Sequence, residues 1–153
     1  MLSISIDQFD QIKQILESAY PSEGCGILTG QDRNGTKVVE EIKGVVNERS
    51  ETRNRYLIDP KVILDLEREL RGTPSTILGF FHSHPDVDPV PSDYDRDYAW
   101  PWLSYLILKV DGGTAEEARS WILQNDRSGF DEEQLVVEGG DWRDVEAWKG
   151  GLK

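Results

Sequence analysis

The chain contains two histidines, and both fall in one short segment, Gly79–Asp95, "GFFHSHPDVDPVPSDYD". His82 and His84 stand two residues apart. If the preceding run "STILGFFHSH" (Ser75–His84) is a strand, its two-residue period puts both imidazoles on one face, with Cα atoms roughly 6.6 Å apart. Side chains placed this way can converge on one metal ion, with zinc–nitrogen bonds of about 2.0–2.1 Å. On a helix the same two positions would point apart. Catalytic zinc takes three protein ligands and keeps a further position for water, so a third donor is required. Asp86, Asp88, Asp93 and Asp95 all follow closely. A helix starting at Ser92 would put Ser92 and Asp95 on one face and could lean Asp95 back over the strand end. The same pair also reads as a plain capping box, and an acidic loop is ordinarily just solvated.

Hydrolysis at such a centre also needs a carboxylate to take the water's proton and pass it to a leaving amine. Glu23, in "YPSEGCGILTG" (Tyr20–Gly30), stands just ahead of an apolar run and is the candidate; an ordinary surface glutamate is the competing reading. The single cysteine, Cys25, rules out an intramolecular disulfide and a multi-cysteine zinc site. Next to two histidines it could be a thiolate nucleophile or a Cys-His-His ligand. A small buried residue in a glycine-bounded strand is its simpler role.

The elements that must position these residues follow from periodicity and punctuation. Leu2–Ile6 reads as a strand. Asp7 reads as the cap of a helix whose apolar positions are Phe9, Ile12, Ile15, Leu16 and Ala19, ending before Pro21. Gly24–Gly30 and Lys37–Val46 are strands joined through the Asn34-Gly35 turn signal. Arg55–Ile58 reads as a further strand. Asp59 caps a helix with Pro60 at its first position, running through Leu70 and closed by Gly72. Leu103–Val110 is apolar on both faces and so central in a sheet; Ala118–Gln124 and Glu133–Glu138 add strands. Trp100, Trp102 and Trp121 are expected to pack in the core, with Trp100 or Trp102 also able to wall a substrate groove. Trp142 and Trp148 fit a short C-terminal helix folded back on the body. The fold class is α/β or α+β around one mixed sheet, with one domain over 1–140 and a tail over 141–153.

The chain is 153 residues long with a formal net charge of −12. That charge argues against nucleic acid and anionic membranes as partners, since both attract basic patches. No apolar run approaches the ~20 residues of a membrane span, and the start lacks a signal-peptide pattern. A cytoplasmic protein is expected.

His82-x-His84, seven residues, Ser92, two residues and Asp95 together resemble the signature of the JAMM metallopeptidases, also called the MPN-plus family. "YPSEGCGILTG" is similar to that family's upstream glutamate segment, with Glu23 in the glutamate position, and "RYLIDP" (Arg55–Pro60) resembles its strand-to-helix entry. The small prokaryotic, Mec-like members are most alike, over about Leu2 to Glu138. The resemblance implies a cytidine-deaminase-like fold, with a central, mostly antiparallel sheet flanked by helices. It implies one Zn2+ per chain on His82, His84 and Asp95, a metal-activated water with Glu23 as general acid/base, and Ser92 donating to the oxyanion. The implied activity is cleavage of an amide or isopeptide bond at the C-terminus of a ubiquitin-like or sulfur-carrier protein. An extended carrier tail could bind by adding a strand to an exposed sheet edge. The alternative is a non-catalytic scaffold of the same fold.

Overall fold

The computed structural model describes residues 1–49 and 55–139. The expected helix around Trp142 and Trp148 lies outside them. In chain order the elements are β1 (Leu2–Ser5), α1 (Ile6–Ala19), β2 (Cys25–Arg33), β3 (Thr36–Val45), α2 (Pro60–Leu70), β4 (Thr76–Pro85), α3 (Asp93–Tyr98), β5 (Ser104–Asp111), β6 (Thr114–Leu123), β7 (Phe130–Glu133) and β8 (Leu135–Glu138). No helix among the described residues is long and apolar enough to cross a membrane.

The strands form one eight-stranded sheet in the order β7-β6-β5-β4-β2-β3-β1-β8. It is mixed: β1 runs parallel to β3 and β8, and β4 to β5, while the other neighbours are antiparallel. Strand alternation sends successive β4 side chains to opposite faces. Phe81 packs with Phe9, Ile12 and Leu16 of α1 in one core cluster. Phe80 packs with Cys25, Ile27, Ile58, Tyr105 and Leu66 of α2 in a second. His82 and His84 share the face of Phe80, so the histidine pair lies on the α2 side.

Several boundaries differ from the sequence reading for physical reasons. Helix α1 is capped by Ser5, not Asp7: Ser5 Oγ accepts the Gln8 N–H and Gln8 Oε1 accepts the Ser5 N–H, both at 3.1 Å, a reciprocal capping box. Helix α2 starts as expected, with Asp59 accepting the Lys61 N–H at 2.9 Å and Pro60 following it. Arg55–Ile58 is not a strand; Leu57 N–H bonds to the Asn47 side chain instead of to a sheet neighbour. The expected strand Glu133–Glu138 is divided at Gln134. Its first part pairs with β6 at one end of the sheet order and its second with β1 at the other. One residue can join the two outermost strands only if the sheet curls until its edges approach. The Gln134 carbonyl accepts the Leu2 N–H at 2.9 Å at this seam. Inside the curl, the buried Lys37 of β3 donates to Ser104 Oγ of β5 at 3.0 Å and to the Trp102 carbonyl.

Trp121 is buried as expected, but Trp100 and Trp102 are 64% and 72% exposed and take no part in the core. They stand in the turn between α3 and β5, where Trp102 takes a positive φ of 74° and points away from the packed interior.

The position of β4 against β5 depends on a close backbone approach at Gly79, which pairs with Ser104. A Cβ built there would lie 1.9 Å from the Ser104 carbonyl oxygen. Gly79→Ala therefore has no rotamer to escape through and is expected to cost about 3 kcal/mol or more. Denaturant titration measures this; an unchanged midpoint would refute the packing described for β4.

Candidate metal centre

Strand β4 is paired on both edges, with β2 and with β5. Its histidines are consequently rigid and buried, His82 fully and His84 nearly so. Their Nε2 atoms lie 3.3 Å apart. His84 Nδ1 is 2.9 Å from the Asp88 carbonyl oxygen. A carbonyl can only accept, so Nδ1 carries the proton and a neutral His84 turns its Nε2 lone pair inward. The Tyr56 ring stacks on His82, with centroids 4.3 Å apart and planes at 23°.

The loop after β4 disperses three of the four acids. Asp86 accepts the Tyr20 hydroxyl at 2.8 Å and the Gly112 N–H at 2.8 Å. Asp88 meets Lys109 at 3.6 Å, and Asp93 meets Arg96 at 3.8 Å on the surface. Trp121 Nε1 donates to the Pro89 carbonyl at 2.9 Å and pins the loop to β6. Only Asp95 turns inward. Ser92 caps α3: its Oγ accepts the Asp95 N–H at 3.0 Å, and Asp95 Oδ2 accepts the Ser92 N–H at 2.9 Å. The capping box is thus the device that aims the carboxylate. Asp95 Oδ2 lies 3.1 Å from His84 Nε2, and Oδ1 lies 3.4 Å from His82 Nε2.

These three side chains form a buried group with the donor set of a metal site. Ligands around zinc at ~2.0–2.1 Å in a tetrahedron stand ~3.3 Å apart; the two imidazole nitrogens are 3.3 Å apart, with one Asp95 oxygen 3.1 Å from His84 and the other 3.4 Å from His82. Two imidazoles, one carboxylate and their spacing therefore fit zinc. The electrostatics agree. Burial pushes the His82 pKa down, against the pull of Asp95. Burial also opposes charge on His84, but the Asp95 carboxylate and the Asp88 carbonyl outweigh it and raise its pKa. Burial disfavours the Asp95 carboxylate too, yet His82 and His84 hold its pKa well below the usual range.

Glu23 stands in the turn before β2 and is only 3% exposed. Its Oε1 is buried without a hydrogen-bond partner. Burial pushes its pKa up to about 8, with His84 opposing the rise and Asp95 adding to it. Its neighbour Gly24 is tied to the histidine strand: Gly24 N–H donates to Ser83 Oγ at 2.9 Å, and Ser83 N–H donates to the Gly24 carbonyl at 3.1 Å. Cys25 pairs with His82 across β2 and β4 but is buried in the second core cluster, and its Sγ lies 3.7 Å from the Val45 carbonyl. Burial, with Glu23 and Glu48 adding to it, pushes its pKa up to about 12. A nucleophilic cysteine needs the opposite shift, so the structure favours the packing role.

Sequence reasoning missed Ser83, Asn47 and Tyr56. The first sits on the opposite strand face from the histidines. The other two come from the described residues 46–49 and 55–59, which are irregular, so periodicity carries no signal there. "RYLIDP" flagged the neighbourhood of Tyr56 but not its stacking role.

Over residues 5–124 the chain matches the family described as prokaryotic homologs of the JAB domain. It is 38% identical over 116 residues to the desampylase of Haloferax volcanii, covering 72% of this chain and 82% of that protein. It is 29% identical over 92 residues to the probable TtuB-protein conjugate cleaving protease of Thermus thermophilus, covering 60% and 59% of the two chains. A solution structure of a Desulfitobacterium hafniense protein aligns with a TM-score of 0.78 at 26% identity, covering 95% of this chain and 98% of that one. The structure described as "JAMM: A Metalloprotease-like Zinc Site in the Proteasome and Signalosome" aligns at 0.55 and 19% identity, covering 90% and 97%, which shows a shared fold. The family match runs from the cap of α1 to the end of β6 and takes in Glu23, His82, His84, Ser92 and Asp95: the chain belongs to the prokaryotic JAB-domain family.

Proposed function

We propose that this chain is a zinc-dependent isopeptidase that hydrolyses the amide bond at the C-terminus of a ubiquitin-like or sulfur-carrier protein conjugate. The observation that carries the reading is the buried His82–His84–Asp95 group with the unpartnered Glu23 carboxyl in its field. The relatives named as a desampylase and a conjugate-cleaving protease support the substrate class. A cytoplasmic setting suits a chain whose single cysteine is an unpaired thiol.

His82, His84 and Asp95 would hold one zinc ion per chain. That ion supplies Lewis acidity, polarising a carbonyl and lowering the pKa of water toward ~7. Glu23 takes the proton from the attacking water and delivers it to the leaving amine. Burial raises its proton affinity, which favours delivery to the amine, and a cation held by His82, His84 and Asp95 would lower it toward the ionised form that accepts the water's proton. Ser92 Oγ accepts from the Asp95 backbone, and its own hydroxyl hydrogen is available to the developing oxyanion.

A protein substrate needs room beside the centre. A groove of about 1140 Å³ runs between α2 and the turn before β5, lined in part by Tyr56, Ile63, Leu70, Phe80 and Trp102. Tyr56 walls the groove and stacks on His82, so the groove lies one side chain away from the centre, whose own residues do not line it. Both edges of β4 are already paired, and the outer strands β7 and β8 lie three and four places away. Strand addition directly beside the histidines is therefore closed off, and a carrier tail would have to reach the centre from another side. The scaffold alternative leaves the buried Glu23 carboxyl unexplained, since burial without a partner is costly.

Glu23→Gln is expected to lower kcat by ~10²–10⁴-fold while retaining bound zinc, read by turnover of an isopeptide-linked conjugate and by metal analysis of the same protein. Chelation should abolish turnover and added zinc restore it. Full activity in Glu23→Gln, or turnover indifferent to chelator, would overturn the mechanism.

The Glu23 pKa also sets a stability trend. Its folded value, about 8, lies above a glutamate's ordinary value of 4.5. The folded state thus binds this proton more tightly, and its stabilising effect is full below 4.5 and lost as pH rises through 8. In chelator-treated protein, Glu23→Gln should melt above wild type at pH 9, with the difference shrinking toward pH 4.5. A constant or reversed difference would contradict the buried, partnerless carboxyl.

A further inference from the structure

Asn47 lies just past the end of β3, is 8% exposed and uses its whole amide. Nδ2 donates to the Glu23 carbonyl at 2.8 Å and to the Arg55 carbonyl at 3.0 Å. Oδ1 accepts the Arg49 N–H at 2.8 Å and the Leu57 N–H at 2.9 Å. Two donors and two lone pairs are all the amide has. The orientation is unambiguous, because a flipped amide would set its oxygen against two carbonyls and its nitrogen against two N–H groups. One side chain thereby fastens three segments: the turn that carries Glu23, its own residues 47–49, and the stretch 55–57 that lays Tyr56 on His82.

The Glu23 carboxyl cannot fix itself, since Oε1 has no partner. Its position is set through the backbone. On one side Ser83 holds Gly24, and on the other Asn47 holds the Glu23 carbonyl. Ser83 ties the turn to the strand of the histidines; Asn47 ties it to the segment that covers them. A base displaced by an ångström loses much of its effect, as reacting groups must sit within about 0.5 Å of productive geometry.

We propose that Asn47 is a positioning residue: it holds Glu23 in register with the His82–His84–Asp95 centre and with the Tyr56 segment. This rests on the reading of Glu23 as proton carrier. Asn47 touches none of His82, His84 or Asp95 through its amide bonds, so its loss should slow turnover without releasing metal.

Asn47→Asp separates the two halves of the amide. The carboxylate keeps the acceptor bonds to Arg49 and Leu57 and loses the donations to both the Glu23 and the Arg55 carbonyls. With the full chain loaded with zinc, and a fluorogenic peptide joined through its C-terminus to a lysine Nε as probe, kcat should fall at least tenfold. KM should stay within about threefold, and metal content should match wild type. Asn47→Ala should fall as far, and in addition its Arg49 and Leu57 amides should exchange hydrogen faster than in wild type. Asn47→Ser carries the same kinetic readouts if Asn47→Asp does not fold. Unchanged kcat in these variants, a loss that appears only in KM, or a loss that tracks missing metal would overturn the inference. Amides at Arg49 and Leu57 that exchange no faster in Asn47→Ala would do the same. If Glu23→Gln is fully active, the proton-carrier reading itself fails; if Glu23→Gln is inactive while Asn47→Asp keeps its kcat, the Asn47 inference alone fails.

Discussion

Three ligand-type side chains whose lone pairs face one buried point need a positive charge among them, a proton or a bound cation, because no water is there to screen them. His82, His84 and Asp95 are in that position, with 3.1–3.4 Å between their nearest ring nitrogens and carboxylate oxygens. A core tolerates such a cluster only if the surroundings hold each member in place and a positive charge offsets the crowding. Most of the remaining structure serves the first requirement. Strand β4 is braced on both edges so that the imidazoles cannot turn away. The α3 capping box aims the carboxylate, the Asp88 carbonyl orients one ring, and Tyr56 lies flat on the other.

Glu23 is the counterpart of this constraint. It is buried but left without a partner on Oε1, so its proton affinity is high where the histidine group favours a bound positive charge. The two halves of the centre are unlike in chemistry and meet at one end of an antiparallel strand pair, the start of β2 and the end of β4. The Ser83 hydroxyl, hidden between the histidines on the other face, joins them directly. The residue between the two histidines therefore ties the site together although its own side chain faces away from it.

Much of this was legible in the residues. The period of a strand put His82 and His84 together, and Ser92 with Asp95 carried two meanings that proved compatible, a helix cap and an inward-turned carboxylate. Asp59-Pro60 marked the start of α2 without ambiguity. What failed did so where long-range geometry decides. No local pattern shows that Glu133–Glu138 changes neighbours at Gln134, because each half is a good strand by itself. Arg55–Ile58 has strand-like residues, yet its backbone bonds go to the Asn47 side chain, the Glu48 N–H and the Tyr94 hydroxyl, and propensity yields to tertiary contacts. Trp100 and Trp102 look like core residues by type, but their turn faces outward. The burial of Glu23 was likewise invisible, since a glutamate among many acids gives no sign of its depth.

The seam at Gln134 has a consequence for the order of assembly. Strand β1 is held between β3 and β8, and Leu2 pairs with Leu135. Strand β1 therefore waits for β8, far later in the chain, before it has both neighbours. Contacts so distant in sequence close slowly, because the loop entropy must be lost before they form. Until then the leading strand presents a bare edge, open to pairing with another chain. Extra sequence fused just before Met1, whose ammonium lies 3.5 Å from Glu133 of β7, would crowd the same seam. For a chain of this design, the vulnerable moment lies on the ribosome, with the catalytic strand already made and the curl not yet closed.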